Sequence, residues 1–184
     1  MSALVLIGPP GSGKTTTGRE LAGLLRLPFL DTDHMVEAQS GRTISDIFVR
    51  EGEDAFRALE RTAVAEAMNQ AAREGVVVAL GGGAPMDQSV AAAISHSTVV
   101  FLDVSAVLAA RRIGLNASRP LLAESPRKVW RELMARRRPV YETLADIIIP
   151  VDGFGPTELA RRIASALAKM DGTEKDLADK ERTP

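Results

Sequence analysis

Gly8, Gly13, Lys14 and Thr15 fall in the stretch GPPGSGKT with the spacing G-x-x-x-x-G-K-[ST]. Those residue types at that spacing bind the phosphates of a nucleotide. Glycines let the backbone curl until several N–H groups face phosphate oxygens, and a helix opening there adds positive potential. The lysine reaches the β- and γ-phosphates, and the Thr15 hydroxyl can ligate a divalent cation. The candidate nucleotide ligands are therefore Gly11, Ser12, Gly13, Lys14, Thr15 and Thr16. Such a loop announces a nucleoside triphosphate; it does not name what receives the phosphate.

Other residues of chemical interest are scattered. Asp31 and Asp33, in DTD, would point the same way on an extended strand end. One suits a metal's coordination sphere and the other a hydroxyl acceptor. An N-cap pair for the next helix is the structural alternative, and both can hold at once. Gly81, Gly82 and Gly83 are consecutive, at a cost of roughly 1 kcal/mol each relative to alanine. Close approach of a ligand to the backbone would justify that cost; a simple tight turn is the other reading. In VWRELMARRRPVYETLA, the residues Trp130, Leu133, Met134, Val140, Tyr141 and Leu144 make an apolar stripe at helical spacing, and Arg137 lies on it. An inward arginine needs an anion, either a protein carboxylate or an acidic ligand. Arg136 and Arg138 are expected to point away into solvent. Arg57 has Glu53 four residues before it and Glu60 three after it, and periodicity alone does not distinguish this from a surface ion pair. Arg119, held extended by Pro120, is either a solvated loop arginine or one that closes on a γ-phosphate.

The elements that must position these residues are short apolar runs alternating with helical stretches. Strands are expected at 3–8, 28–33, 75–83, 98–104 and 146–152, with helices after the phosphate loop, over 44–50 and about 53–74, and between and after the later strands. Fully apolar strands alternating with helices predict a parallel sheet covered on both faces, a three-layer α/β fold. In such a sheet ligands bind outside the carboxyl ends of the strands. The phosphate loop, DTD and GGG are three of those ends. GLNASRPLLAESP, between two helices, reads as a mobile loop, and the charged DGTEKDLADKERTP as a frayed tail. The chain thus divides into one domain over residues 1–170, with a lid at about 112–126, and a disordered tail over 171–184.

Composition narrows the class. The chain has 184 residues and no cysteine, so it is long enough for its own core and has neither a disulfide framework nor a thiolate metal site. A net charge of -1 argues against a nucleic-acid surface, which shows as a basic excess. No apolar run approaches the ~20 residues that span a membrane. The N-terminus lacks a basic segment and cleavage site and is not read as a signal peptide. A cytoplasmic protein is the expectation.

Taken together, GPPGSGKTT, DTD, GRTISDIF, GEDAFRALE, LGGGA, RPLL and RRRPVYETLA resemble the shikimate kinase family in order and spacing, from Leu4 to about Leu167. The loop alone is unspecific; the combination is not. The resemblance implies transfer of the γ-phosphoryl of ATP to the 3-hydroxyl of shikimate, with Mg²⁺. It implies the nucleoside monophosphate kinase-like P-loop fold, with five parallel strands in the order 2-3-1-4-5 and a lid, in a monomer. It assigns Asp33 to the ring hydroxyls as candidate base, Arg57 and Arg137 to the acceptor carboxylate, and the backbone at Gly81 and Gly82 to the pocket lining. It assigns Asp31 with Thr15 to the metal, Arg119 to the phosphates and Arg112 to the adenine. The catalytic set is then Lys14, Asp33 and Arg119. In one departure, the loop DGFGPTE after the last strand has no basic residue where some relatives carry one near adenine.

Two other readings compete. A gluconate kinase on the same scaffold would also want arginines for a carboxylate, but the F-R-x-x-E and triple glycine argue against it. A nucleotide-dependent switch would carry a guanine motif such as N-K-x-D, and the chain has none.

Overall fold

The computed structural model describes residues 3–114 and 126–180. Five strands, β1 (Leu4–Ile7), β2 (Phe29–Asp31), β3 (Val77–Ala79), β4 (Thr98–Asp103) and β5 (Ile147–Pro150), form one sheet in the order β2-β3-β1-β4-β5. All four pairings are parallel. Seven helices accompany them among the described residues: α1 (Lys14–Leu25), α2 (Thr32–Ser40), α3 (Ile44–Ala71), α4 (Gln88–Ala93), α5 (Ala106–Gly114), α6 (Pro126–Leu144) and α7 (Pro156–Lys180). This is the expected strand order.

The central strands are apolar because both faces are covered. Val5, Leu6, Ile7, Val77, Val78, Val100, Phe101 and Leu102 are completely buried, and nothing else than apolar side chains could occupy those positions without unpaired polar atoms. Helix α3 shows why two helical segments are expected there. Gly52 inside it has φ 83° and ψ -178°, a conformation that breaks the helix between its two parts. Its start is fixed by Thr43, whose hydroxyl accepts from the Asp46 N–H at 3.1 Å, a cap of about 1 kcal/mol.

Three expectations need correction. Strand β2 ends at Asp31, and α2 begins at once with Thr32, a helix the apolar pattern does not announce. Asp33 therefore sits in the first turn of a helix rather than on an extended strand. Strand β3 stops at Ala79, and the three glycines turn the chain into a short 3-10 helix, Ala84–Met86. Arg138 is not simply solvated: its guanidinium grips Asp103 at the end of β4. Helix α7 extends through Lys180. The expected lid between Gly114 and Pro126, with Arg119, lies outside the described residues. Among the described residues, no helix is long and apolar enough to cross a membrane.

Candidate active site

The carboxyl ends of β1, β2 and β3 meet on one edge of the sheet, and the expected residues gather there. After β1 the loop passes through positive φ at Gly8, Gly11 and Gly13 and enters α1. Gly13 caps that helix with no side-chain hydrogen bond, and no acidic residue stands in its first turn. The first N–H groups of α1 are left for an anion, which is the arrangement a phosphate needs. Lys14 lies back across the loop, its Nζ donating to the carbonyls of Gly8 at 2.9 Å and Pro9 at 3.2 Å. Arg112, from α5, reaches the same loop and donates to the Gly11 carbonyl at 2.9 Å.

Asp31 joins the two halves of the site. One carboxylate oxygen caps α2, accepting from the N–H groups of Asp33 at 3.0 Å and His34 at 3.4 Å. The other accepts from the Thr15 hydroxyl at 2.6 Å. The helix cap and the contact with the phosphate-loop hydroxyl thus coexist in one side chain. The hydroxyl and the carboxylate are hard oxygen donors side by side at the phosphate loop, which fits a small divalent cation carried in with a nucleotide.

The other side of this edge is built around the glycines. The Gly81 N–H donates to the buried Thr32 hydroxyl at 2.9 Å, which ties the end of β3 to the start of α2. A Cβ on Gly81 would stand 2.5 Å from Glu60 Oε1 and 2.6 Å from Asp33 Oδ1. One on Gly83 would meet both terminal nitrogens of Arg57 at 2.6 Å. These two positions are glycine because the charged side chains of the site close directly onto the backbone. The groups that approach these glycines are the protein's own side chains.

Arg57 donates to Glu60 at 2.6 Å on one side and to Glu53 at 3.0 Å on the other. Glu60 is only 2% exposed. Burial pushes its pKa above the usual carboxylate range; the bond and charge of Arg57 oppose that, the Asp33 charge adds to it, and the Arg137 charge opposes it. Four charged groups, two of each sign, therefore share one electrostatic environment. Burial works against the Arg57 charge as well, but its two carboxylate partners outweigh that and raise its pKa. Removing one partner of such a pair costs about 3–5 kcal/mol because a buried charge is left behind.

From the opposite side, Arg137 donates to the Gly82 carbonyl at 3.1 Å and the Tyr141 hydroxyl to the same oxygen at 2.5 Å. Tyr141 is wholly buried, its ring 5.2 Å from that of Phe101, and burial raises its pKa. The apolar stripe of α6 thus carries Arg137 onto the glycine turn, as its spacing predicts.

Sequence reasoning missed three residues here. Glu60 lies four residues after Phe56 and four before Val64, both buried. The stripe argument that singles out Arg137 would have found it. Tyr141 reads in the sequence as an apolar residue of the stripe, not as a hydroxyl donor. Asp103 is the last residue of β4, a strand end that the reading of strand ends passed over.

A strand–phosphate loop–helix unit, an order of β2-β3-β1-β4-β5 and a cluster of charged side chains at the same sheet edge define a P-loop small-molecule kinase. The sequence pattern of the family described as Shikimate kinase matches residues 10–168. A shikimate kinase of Salinispora arenicola is 50% identical over 164 residues, covering 89% of this chain and 96% of that protein. The solved shikimate kinase of Acinetobacter baumannii, in complex with shikimate, superposes with a TM-score of 0.86 at 35% identity, covering 92% of this chain and 94% of the other. A gluconokinase from Sinorhizobium meliloti, 20% identical with a TM-score of 0.60, shares the fold. The chain belongs to the shikimate kinase family, whose members are ATP-dependent phosphotransferases.

Proposed function

We propose that the protein transfers the γ-phosphoryl group of ATP to the 3-hydroxyl of shikimate, giving shikimate 3-phosphate and ADP. The observation that carries this reading is the juxtaposition of Asp33, Glu60 and Arg57 on the glycine turn with Arg137 beyond it. It supplies two cations for a carboxylate and a carboxylate for a hydroxyl, next to a phosphate loop. The shikimate carboxylate would lie between Arg57 and Arg137. Glu60 and Glu53 hold the Arg57 guanidinium in place. Asp33 would bond the ring hydroxyls near carbon 3.

The chemistry is an in-line displacement. The 3-hydroxyl oxygen forms a bond to the γ-phosphorus as the bond to the β-phosphate oxygen breaks, and ADP leaves. Asp33 orients that hydroxyl and takes its proton late in the transfer. Lys14 would exchange the Gly8 and Pro9 carbonyls for phosphate oxygens, and the N–H groups from Gly11 to Thr16 would cradle the phosphates. Arg112 would turn from Gly11 to the adenine. Arg119, outside the described residues, is assigned to the γ-phosphate on the family resemblance alone. Thr15 and Asp31 would hold Mg²⁺, which would supply positive charge to offset that of the phosphates. We take the enzyme to be a cytoplasmic monomer, for which light scattering should give the mass of one chain.

Phosphorus and proton NMR of a reaction with Mg–ATP and shikimate tests the proposal. The product should carry phosphate on carbon 3 in equal amount with ADP. Phosphate on another carbon, or free phosphate alone, contradicts it.

A further inference from the structure

Of the three consecutive arginines of α6, only Arg137 enters the site described above. Its neighbour Arg138 is engaged just as specifically, on a different strand. Successive helical residues point about 100° apart, so one turn of α6 reaches two strand ends at once. Arg137 donates to the Gly82 carbonyl beyond β3. Arg138 takes the carboxylate of Asp103, the last residue of β4, with Nη1 at 3.0 Å and Nη2 at 2.5 Å. Its Nε donates to Glu142 at 2.7 Å, and its guanidinium stands 5.9 Å from the centre of the Phe101 ring. A two-pronged arginine–carboxylate contact fixes direction as well as distance.

The helix needs such an anchor at this point. Pro139 follows Arg138 directly and lies inside α6. It has no N–H for the Ala135 carbonyl, and its ring presses on that carbonyl, so the helix's own ladder is interrupted beside Arg137. Contacts on each side of the proline hold the helix there: Tyr141 to Gly82 after it, Arg138 to Asp103 before it. In the sheet, β3 and β4 flank β1, the strand that feeds the phosphate loop. Anchored to both flanks, α6 is set in register with that loop.

We infer that Arg138, through Asp103, is a positioning residue for acceptor binding: it fixes the rotation of α6 so that Arg137 meets the acceptor's carboxylate beside the Gly82 carbonyl. This rests on the assignment of Arg137 to that carboxylate. Arg138 itself touches neither substrate.

Steady-state kinetics on the full chain test it, with Arg138→Ala, Arg138→Lys, Asp103→Asn, the double variant Arg138→Ala/Asp103→Asn, and Arg137→Ala as reference. Arg138→Ala and Asp103→Asn should each raise KM for shikimate about tenfold, with KM for ATP and kcat within about twofold of wild type. The double variant should be no worse than either single one. Arg138→Lys should recover part of the loss, since it keeps the charge without the fork. If Arg138→Ala does not fold, the near-isosteric Asp103→Asn decides the matter alone. An unchanged KM for shikimate, or an equal rise in both KM values, overturns the inference. If Arg137→Ala raises KM for shikimate while both Arg138→Ala and Asp103→Asn leave it unchanged, only the positioning role fails. If Arg137→Ala also leaves it unchanged, the acceptor assignment fails with it.

Discussion

The two halves of this site are built by different means. The phosphate side is one continuous stretch, Gly8 to Thr16, and it works through backbone N–H groups at an uncapped helix start. The acceptor side draws Asp33 from α2, Arg57 and Glu60 from α3, the glycines after β3, and Arg137 and Tyr141 from α6. It works through side chains that hold one another in place. Even the two helix starts differ. Helix α1 leaves its N-terminus open, whereas α2 is capped by Asp31, whose second oxygen reaches across to Thr15. A phosphate is a common denominator that backbone can bind. A hydroxylated ring with a carboxylate is particular, and only side chains from several elements can surround it. The halves should therefore fail separately when mutated.

The largest effect is expected where they meet. Asp33→Asn should lower kcat on the order of 10³-fold while circular dichroism shows a folded protein, because the group assigned to take the proton is lost. Turnover near wild type would remove Asp33 from the chemistry. Lys14→Ala should lower kcat by on the order of 10²-fold, yet leave shikimate binding without nucleotide unchanged by calorimetry. A parallel loss of shikimate binding would mean the halves are one unit.

Arg137→Ala should do the reverse. KM for shikimate should rise about 30-fold or more, since a carboxylate loses a close cationic partner, with ATP binding nearly intact. Equal loss of both ligands would break the comparison.

The smallest effect concerns Glu60 and pH. Its folded-state pKa is raised, chiefly by burial. Stability arising from such a shift is complete below the unfolded pKa and is lost as pH rises through the folded one. Wild type should therefore gain stability relative to Glu60→Gln when pH is lowered from about 7 to about 4, read as urea midpoints. A relative loss on acidification would mean that the Arg57 contact, not burial, governs this carboxylate.

The same contrast explains what was legible in the sequence. The phosphate loop is local, so its spacing spells out both structure and role. Strand order followed from the family resemblance, and the apolar runs located all five strands. Arg137 was legible because a charge on an apolar stripe is conspicuous. Glu60 lies on a stripe as well, between Phe56 and Val64, but the arginine three residues before it offers a ready surface explanation that hides the signal. Asp33 was placed on the right edge for a partly wrong reason: it reaches Gly81 from the first turn of α2, not from an extended strand. Short polar helices such as α2, anchored by a cap rather than by a long apolar face, leave little periodicity to read. The Arg138–Asp103 pair joins residues far apart in the chain, and no local pattern announces it.

The central claim is that this pocket takes shikimate and passes it a phosphate. ADP release by the purified protein with Mg–ATP, measured with no acceptor, with shikimate and with gluconate, tests it most directly. The account predicts turnover with shikimate and only background release in the other two reactions. A folded protein that binds ATP but is not stimulated by shikimate, or is stimulated equally by gluconate, would contradict it.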